Sequence, residues 1–303
     1  MQRMQGIIKR QGLTEEELED IAQLARLCQR HDSTQVRIDI EELRRHGGLV
    51  CQCLLYYDDG VLIGCLTLFG LGLGKREITG MVHPDYRRRG IFRHLSQVAQ
   101  AECDNQHIEE VLLITEEVSK SGKAFVASTG ATFQFAEHEM VLRQLQTGNA
   151  FDERLLVEPA RDGDIERYLQ VLAESFGTSI EARRPMVTLF WHNPKFRFYL
   201  ATLGEGEVSC REPVGCLRME INEALQRVGI YSVGIVPAYQ GRGYGRQMLE
   251  EAIRSIPERD KKTITLDVET DNQPAFRLYS SCGFQIKHTY AYYRLNGTLA
   301  ASP

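Results

Sequence analysis

From Val233 to Arg246 the chain reads Val-Gly-Ile-Val-Pro-Ala-Tyr-Gln-Gly-Arg-Gly-Tyr-Gly-Arg. This is a β-strand that breaks at Pro237 into a glycine-rich turn and opens directly into a helix. The order constrains the fold strongly, because it leaves a row of backbone N–H groups at a helix N-terminus without acceptors. Aligned peptide dipoles add roughly half a positive charge there. Glycines at 241, 243 and 245 let the backbone approach an anion with no Cβ in the way. A phosphate-bearing ligand is the natural occupant.

The feature occurs twice. Pro84-Asp-Tyr86-Arg87-Arg-Arg89-Gly90-Ile-Phe92-Arg93 matches Pro237 to Arg246 without a gap, and further on Ala124-Phe125 and Phe133 fall on Ala275-Phe276 and Phe284. Self-similarity over a domain length argues for two copies of one fold, not a solenoid. A chain of 303 residues has room for two cores. The expected domains are 1–147 and 152–303, joined by the polar stretch Gln144 to Asp152 with its Gly148-Asn149 pair.

Composition narrows the function classes. A quarter of the residues are charged and 43% are hydrophobic, as in an ordinary globular protein. A net charge of -5 provides no broad footprint for nucleic acid. Arg87-Arg88-Arg89 is a local basic cluster that suits a solvated turn and equally a pyrophosphate beside a helix N-terminus. Cys53, Cys65 and Cys216 lie in apolar strand-like runs and Cys103 near a helix end; with no Cys-x-x-Cys pair, they read as small buried hydrophobes. No metal site is expected. Met1 to Gln5 lacks the apolar core of a signal peptide, and Val61 to Gly74 is too short and glycine-rich to span a bilayer. The expectation is a cytoplasmic protein without membrane contact.

Periodicity places the elements. Glu15 to Gln29 reads as a helix capped by Thr14, and Leu49 to Tyr57 with Val61 to Phe69 as a hairpin across Asp58-Asp59-Gly60. Gly70-Leu-Gly72-Leu-Gly74 reads as a strand-to-strand turn, since Arg76 to Val82 is the next strand. A helix over Arg89 to Cys103, a strand at Val111 to Thr115, a short helix at Lys123 to Thr129 and closing strands through Leu142 complete the first half. In the second, a strand from Leu155 leads to a helix capped near Asp164. Strands follow at Phe196 to Leu203, Pro213 to Ile221 and Gly229 to Val236, then a helix over Gly243 to Ile256. A strand at Thr263 to Val268, a helix over Pro274 to Cys282 and a strand at Tyr290 to Leu295 end the chain. Helices alternating with strands of a mixed sheet give an α/β class.

The turn is neither a dinucleotide fingerprint nor a P-loop. It reads Gln240-x-x-Gly243-x-Gly245, and Ala275-Phe-Arg-Leu-Tyr279-Ser-Ser-Cys-Gly283-Phe284 follows some thirty residues later. Together these resemble the acetyl-CoA signature of the GCN5-related N-acetyltransferases, the GNAT family. The resemblance covers nearly the whole chain and is sharp in the second half. Tandem members such as mycothiol synthase resemble this layout, though no residue points to mycothiol. The resemblance implies two tandem GNAT-like domains, each a mixed, splayed sheet flanked by helices, with acetyl-CoA as acyl donor.

It also implies roles. The amides of Gln240, Gly241, Arg242, Gly243, Tyr244, Gly245 and Arg246 would hold the pyrophosphate. The strand edge at Val233, Gly234 and Ile235 would pair with the pantetheine arm as an added strand does. A glycine inside a strand, such as Gly234, marks a bulge or a close backbone approach. Tyr279 would be the general acid, its phenol protonated at neutral pH with a reference pKa of about 10; a packed core tyrosine is the plain structural alternative. Asn272 aligns with a residue that contacts the cofactor in relatives and also suits a helix cap. No general base stands out among Glu220, Asp267, Glu269 and Asp271, and many relatives use ordered water.

The first half departs from the pattern. Phe92 replaces the second glycine, Ser128 falls at the position of Tyr279, and Thr132 at that of Gly283. Val82, Arg87, Arg89 and Gly90 therefore mark at most a second, weaker cofactor site without catalysis. The acceptor region would be Ser175 to Lys195, with Phe176, Trp191 and His192 as an aromatic wall. The implied activity is transfer of an acetyl group to a primary amine of a small molecule or peptide. The alternative is a non-catalytic acyl-CoA-binding or sensor protein, which would have no use for an acid at Tyr279.

Overall fold

A computed structural model describes residues 4–45, 51–70, 74–148, 151–206 and 211–296. Parts of the expectations above lie outside the described residues: Met1 to Arg3, Leu49 and Val50, Leu71 to Leu73 of the glycine-rich turn, and Asn149. The chain forms two compact units, Met1–Glu137 with His288–Pro303, and His138–Lys287.

The first repeat runs β1 (Gly6–Arg10), α1 (Glu15–Asp32), α2 (Ile40–Arg45), β2 (Cys51–Asp58), β3 (Val61–Phe69), β4 (Lys75–Val82), α3 (Ile91–Asn105), β5 (Glu110–Glu116), α4 (Lys120–Thr129) and β6 (Thr132–Leu142). The second runs β7 (Leu155–Pro159), α5 (Ile165–Phe176), α6 (Ile180–Trp191), β8 (Phe196–Leu203), β9 (Glu212–Asn222), β10 (Arg227–Ile235), α7 (Tyr244–Arg254), β11 (Thr263–Glu269), α8 (Gln273–Ser281) and β12 (Phe284–Arg294). Local signals explain most of these. Thr14 and Glu17 form a reciprocal capping box at the start of α1, which buries Leu18, Ile21, Leu24 and Cys28. Asp59 and Gly60 both adopt positive φ, the geometry that a tight hairpin between β2 and β3 requires.

β1, α2 and α6 are additions to the sequence reading. Pro185 lies inside α6, and a proline there argues against a helix when read from sequence alone. Asp164 is not a side-chain cap of α5. Its carboxylate instead accepts from Arg161 N at 2.9 Å and from Arg167 Nη1 at 3.0 Å.

Within the first unit the strands lie in the order β1-β2-β3-β4-β5-β12, antiparallel except for the parallel pair β4–β5. The second unit follows the same plan, β7-β8-β9-β10-β11-β6, with β10–β11 its parallel pair. β12 begins at Phe284, earlier than the expected Tyr290, and from His288 onward belongs to the first unit; β6 from His138 belongs to the second. The division at 147 and 152 follows the repeat, whereas the compact units follow contact, and the two differ in which strand closes each sheet. Tyr290 and Tyr292 explain the pairing. They stand opposite Glu116 and Ile114 of β5 and bury both rings in a cluster with Leu112 and Phe135.

Gly148 and Asp152 of the expected linker are bonded to α7 within the second unit rather than left free. Gln247 accepts from Asp152 N at 3.0 Å and donates to Asp152 O at 3.1 Å, while Tyr244 donates to Asp152 Oδ2 at 3.0 Å. Gly148 N donates to Glu250 Oε1 at 2.8 Å. Glu250 is fully buried and also receives Arg246 Nε at 2.7 Å and Arg254 Nη2 at 3.3 Å. Removing the carboxylate would strip Arg246, Arg254 and the Gly148 amide of their shared acceptor, and hydrogen bonds to a charged group contribute about 1.5–3 kcal/mol each. Glu250→Ala should lower the unfolding free energy by about 3 kcal/mol, checked by urea denaturation.

Candidate functional site

The site begins with a sheet that parts. β10 and β11 pair in parallel only from Arg227↔Thr263 to Ile230↔Leu266, although β10 runs on to Ile235 and β11 to Glu269. On its other edge β10 pairs with β9 up to Tyr231↔Arg218 and resumes at Gly234↔Cys216 after a bulge. Ser232 sits in that bulge with φ +55. An extra residue bends the strand and increases its twist, which turns the far end of β10 away from β11. Val233 and Ile235 pack against the core under α7. Gly234 faces α5, where a Cβ would stand 2.7 Å from Ser175 Cβ and 2.9 Å from Phe176 Cε2. The glycine accommodates both the bulge beside it and the close approach of a helix.

The turn after β10 is pinned to the strand that precedes it. Gln240 Nε2 donates to Ile235 O at 2.9 Å. Gly241 and Gly243 have φ of +74 and +85, and a Cβ on either would meet nothing within 4 Å. The first bond closing α7 is Gln247 N to Gly243 O. The amides from Gly241 to Arg246 therefore have no acceptor among the described residues. The side chains here are committed elsewhere. Arg246 is saturated by Glu250, Ser281 and Gln146 O. Arg242 lies 5.3 Å over the Tyr239 ring and donates to Ala238 O, and Tyr244 is buried with its hydroxyl on Asp152. At these positions it is the backbone, with its row of donors, that is left without partners among the described residues.

Tyr279 lies on α8, which Asn272 caps by accepting from Ala275 N at 3.2 Å. The ring is 6% exposed and packs edge-on to Phe284. Its hydroxyl has no hydrogen-bond partner among the described residues, yet is not one of the fully enclosed unsatisfied atoms, so the oxygen keeps contact with solvent. Burial, with a smaller contribution from Cys282, pushes the phenol pKa up to about 12. Glu220 and Asp267 each have partners of their own, and Glu269 and Asp271 are exposed at the end of β11. Trp191 packs against Tyr168 and Phe198 in the core, whereas Phe176 and His192 are exposed; the three form no single wall.

The first repeat builds the same frame with other residues. β4 and β5 pair only from Lys75↔Glu110 to Ile78↔Leu113 before parting. Arg87 Nε donates to Val82 O at 3.0 Å, as Gln240 does to Ile235 O, and its guanidinium forms a two-pronged ion pair with Asp32 at 2.9 and 2.7 Å. Arg88 holds φ +64 where the second repeat has Gly241, and Gly90 begins α3 as Gly243 begins α7. Arg89 stacks 4.9 Å over Tyr86. A cavity of about 440 Å³ lies in this unit, lined among others by Val82, Arg87, Gly90, Phe92 and Phe125. Phe92 forms part of its wall, packed edge-on against Phe125 and over Gly80, whose missing Cβ would lie 2.7 Å from the ring.

The geometry corrects the alignment of the two repeats beyond the turn. Ser119 caps α4 as Asn272 caps α8. Arg93 donates to Ser128 Oγ and O as Arg246 does to Ser281 Oγ and O. Gly130 ends α4 at φ +71, as Gly283 follows α8 at φ +102. Ser128 therefore answers to Ser281 and Gly130 to Gly283, and the counterpart of Tyr279 is the buried Val126, not Ser128. The sequence pairing of Ala124-Phe125 with Ala275-Phe276 had slipped by two residues.

Reading the sequence missed Arg218, a lone cation inside the apolar run of β9. It also missed the bonds from Gly148 and Asp152 to α7 and the cavity of the first unit. Only Arg218 announces itself in sequence, as a charge within a strand that is otherwise buried.

The model of the acetyltransferase (GNAT) family matches residues 16–128 and again residues 165–284. The chain is 41% identical over 69 residues to the N-alpha-acetyltransferase RimI of Mycobacterium tuberculosis, covering 22% of this chain and 42% of the relative. It is 27% identical over 259 residues to a mycothiol acetyltransferase of Kineococcus radiotolerans, covering 79% of this chain and 80% of the relative. A GCN5-related N-acetyltransferase structure from Sphaerobacter thermophilus superposes with a TM-score of 0.77 at 21% identity, over 97% of this chain and 96% of that one. A tandem GNAT protein from the clavulanic acid biosynthesis pathway gives 0.68 at 15% identity, over 98% and 100%. These two likenesses concern the fold. With the family's pattern present in both repeats, the chain belongs to the GNAT family of acetyltransferases as a tandem, two-copy member.

Proposed function

We propose that the protein is an acetyl-CoA-dependent N-acetyltransferase whose second repeat carries the chemistry and whose acceptor is a primary amine of a small molecule or peptide. The carrying observation is the contrast between copies. At one helix position, beside equivalent turns, the second has Tyr279 with an unpartnered hydroxyl and the first has Val126. The amides from Gly241 to Arg246 would hold the pyrophosphate, and the unpaired edge of Val233 to Ile235 would take the pantetheine amides. Asn272, engaged as a helix cap through its oxygen, retains its amide NH₂ for the cofactor.

In the transfer, the neutral amine attacks the thioester carbonyl, a C–N bond forms and the C–S bond breaks. The amine loses a proton to water, and the departing sulfur gains one through the Tyr279 phenol. A phenol held near 12 resists carrying a charge, so Tyr279 would act as a donor that is reprotonated as it gives, not as a resting phenolate. For the first repeat the binding-only reading is favoured, because a cavity persists there while Val126 stands where the second repeat has Tyr279.

Tyr279→Phe should lower kcat by about 10²- to 10⁴-fold with little change in KM for acetyl-CoA, since the ring stays and only the donor is lost. Ser128→Ala should leave turnover unchanged in the same steady-state assay, and equal damage from both would reassign the chemistry. Because its raised pKa keeps the phenol protonated well above its ordinary range, ionisation of Tyr279 should cause no alkaline loss of kcat through about pH 10. Gly243→Val forces a branched residue to φ +85, costing about 1–2 kcal/mol of stability. It also places a side chain before the amides. Calorimetry should show acetyl-CoA affinity reduced at least about tenfold, and unchanged affinity would remove this turn as the donor site.

A further inference from the structure

β9 alternates faces. Leu217, Met219 and Ile221 enter the core under α7, while Cys216, Arg218 and Glu220 face the opposite side of the strand. There the Arg218 guanidinium lies 5.1 Å over Phe190, 5.4 Å over Phe196 and 4.9 Å over Tyr231. The residue is only 8% exposed. It makes no hydrogen bond or ion pair with any described residue, and its Nε and Nη1 are fully enclosed and unsatisfied. Nη2 is not among the enclosed atoms, so this corner of the guanidinium meets solvent.

A buried guanidinium with no hydrogen bond or ion pair is costly, and the ring faces and the more distant carboxylate of Glu220, on the same face of β9, offset only part of the loss. Burial accordingly pushes its pKa down. The position gives the charge a use. Tyr231, directly paired with Arg218, is the first residue of β10 beyond the last β10–β11 pair, Ile230↔Leu266. The charge therefore stands where the strands part. Further along β10, Ser175 Oγ is also enclosed and unsatisfied beside Gly234.

We propose that Arg218 anchors the acceptor by binding a carboxylate of the amine substrate, so that an amino acid or short peptide acid is held with its amine toward the fork between β10 and β11. This specifies the acceptor of the acetyl-transfer reading and rests on it. The aromatic box holds the guanidinium plane, leaving Nη2 to meet one carboxylate oxygen end-on through a charge-assisted hydrogen bond. An amide in place of the carboxylate would bring no compensating charge.

Matched pairs test the assignment: L-phenylalanine with its amide, L-lysine with its amide, and glycylglycine with its amide. Binding is measured by calorimetry in the presence of CoA, and turnover by acetyl-CoA consumption. The acid member of at least one pair should bind at least tenfold more tightly than its amide. Arg218→Gln should erase that preference without changing KM for acetyl-CoA, and Arg218→Lys should keep part of it. Arg218→Met, which fills the box with an apolar chain, should melt no lower than the wild-type protein and also lose the preference. No pair preferring the acid, or Arg218→Gln weakening acid and amide alike, overturns the proposal. Preference for the acid with no consumption of acetyl-CoA by the wild-type protein supports the anchor and overturns the acetyl-transfer reading.

Discussion

The parallel pairing of β10 with β11 stops at Ile230 and Leu266, and the candidate site depends on that stop. A β-strand that leaves its neighbour exposes backbone donors and acceptors that must find other partners. The bulge at Ser232 turns β10 away, Gly234 lets α5 pack against the turned segment, and Gln240 ties the following turn to the strand's last carbonyl. These local adjustments keep the end of β10 ordered while its inner edge stays unpaired. The amides at the start of α7 then lie on the same strand-turn-helix unit as that edge. An extended ligand with an anionic end matches the combination.

The two repeats show how one frame diverges by compensated exchanges. Where the second has Gly245, the first has Phe92, and the ring is accommodated by Gly80 and Phe125. Where the second has Gln240, the first has Arg87, which keeps the bond to the strand and adds an ion pair to Asp32. Arg88 carries a left-handed backbone that the second repeat assigns to Gly241. Each exchange preserves the turn. Val126, standing where the second repeat has a tyrosine, is likewise buried, but offers no proton donor at that position.

Buried charge in the second unit takes two forms. Glu250 is surrounded by Arg246, Arg254 and the Gly148 amide, and holds Gly148 to α7. Arg218 has aromatic faces and feels Glu220 from a distance, but forms no ion pair among the described residues. The first arrangement is complete and contributes to folding. The second is incomplete in the protein alone, and an anionic ligand would complete it.

The turn from Pro237 to Arg246, the caps at Thr14 and Asn272, and the buried faces of α1 and α7 were legible in sequence because each depends on residues within a few positions of one another. The family resemblance was legible for the same reason. The α6 helix was hidden by Pro185, whose local preference its packing overrides. The slip that set Ser128 against Tyr279 arose because similar letters recur in α4 and α8. Only the caps, the Arg93–Ser128 bond and the left-handed Gly130 reveal the true register. Which strand closes each sheet, where β10 leaves β11, and the isolation of Arg218 among rings were decided by tertiary structure. Each depends on contacts between residues far apart in the chain, and a strand's own sequence specifies which face it buries but not which neighbour it will find.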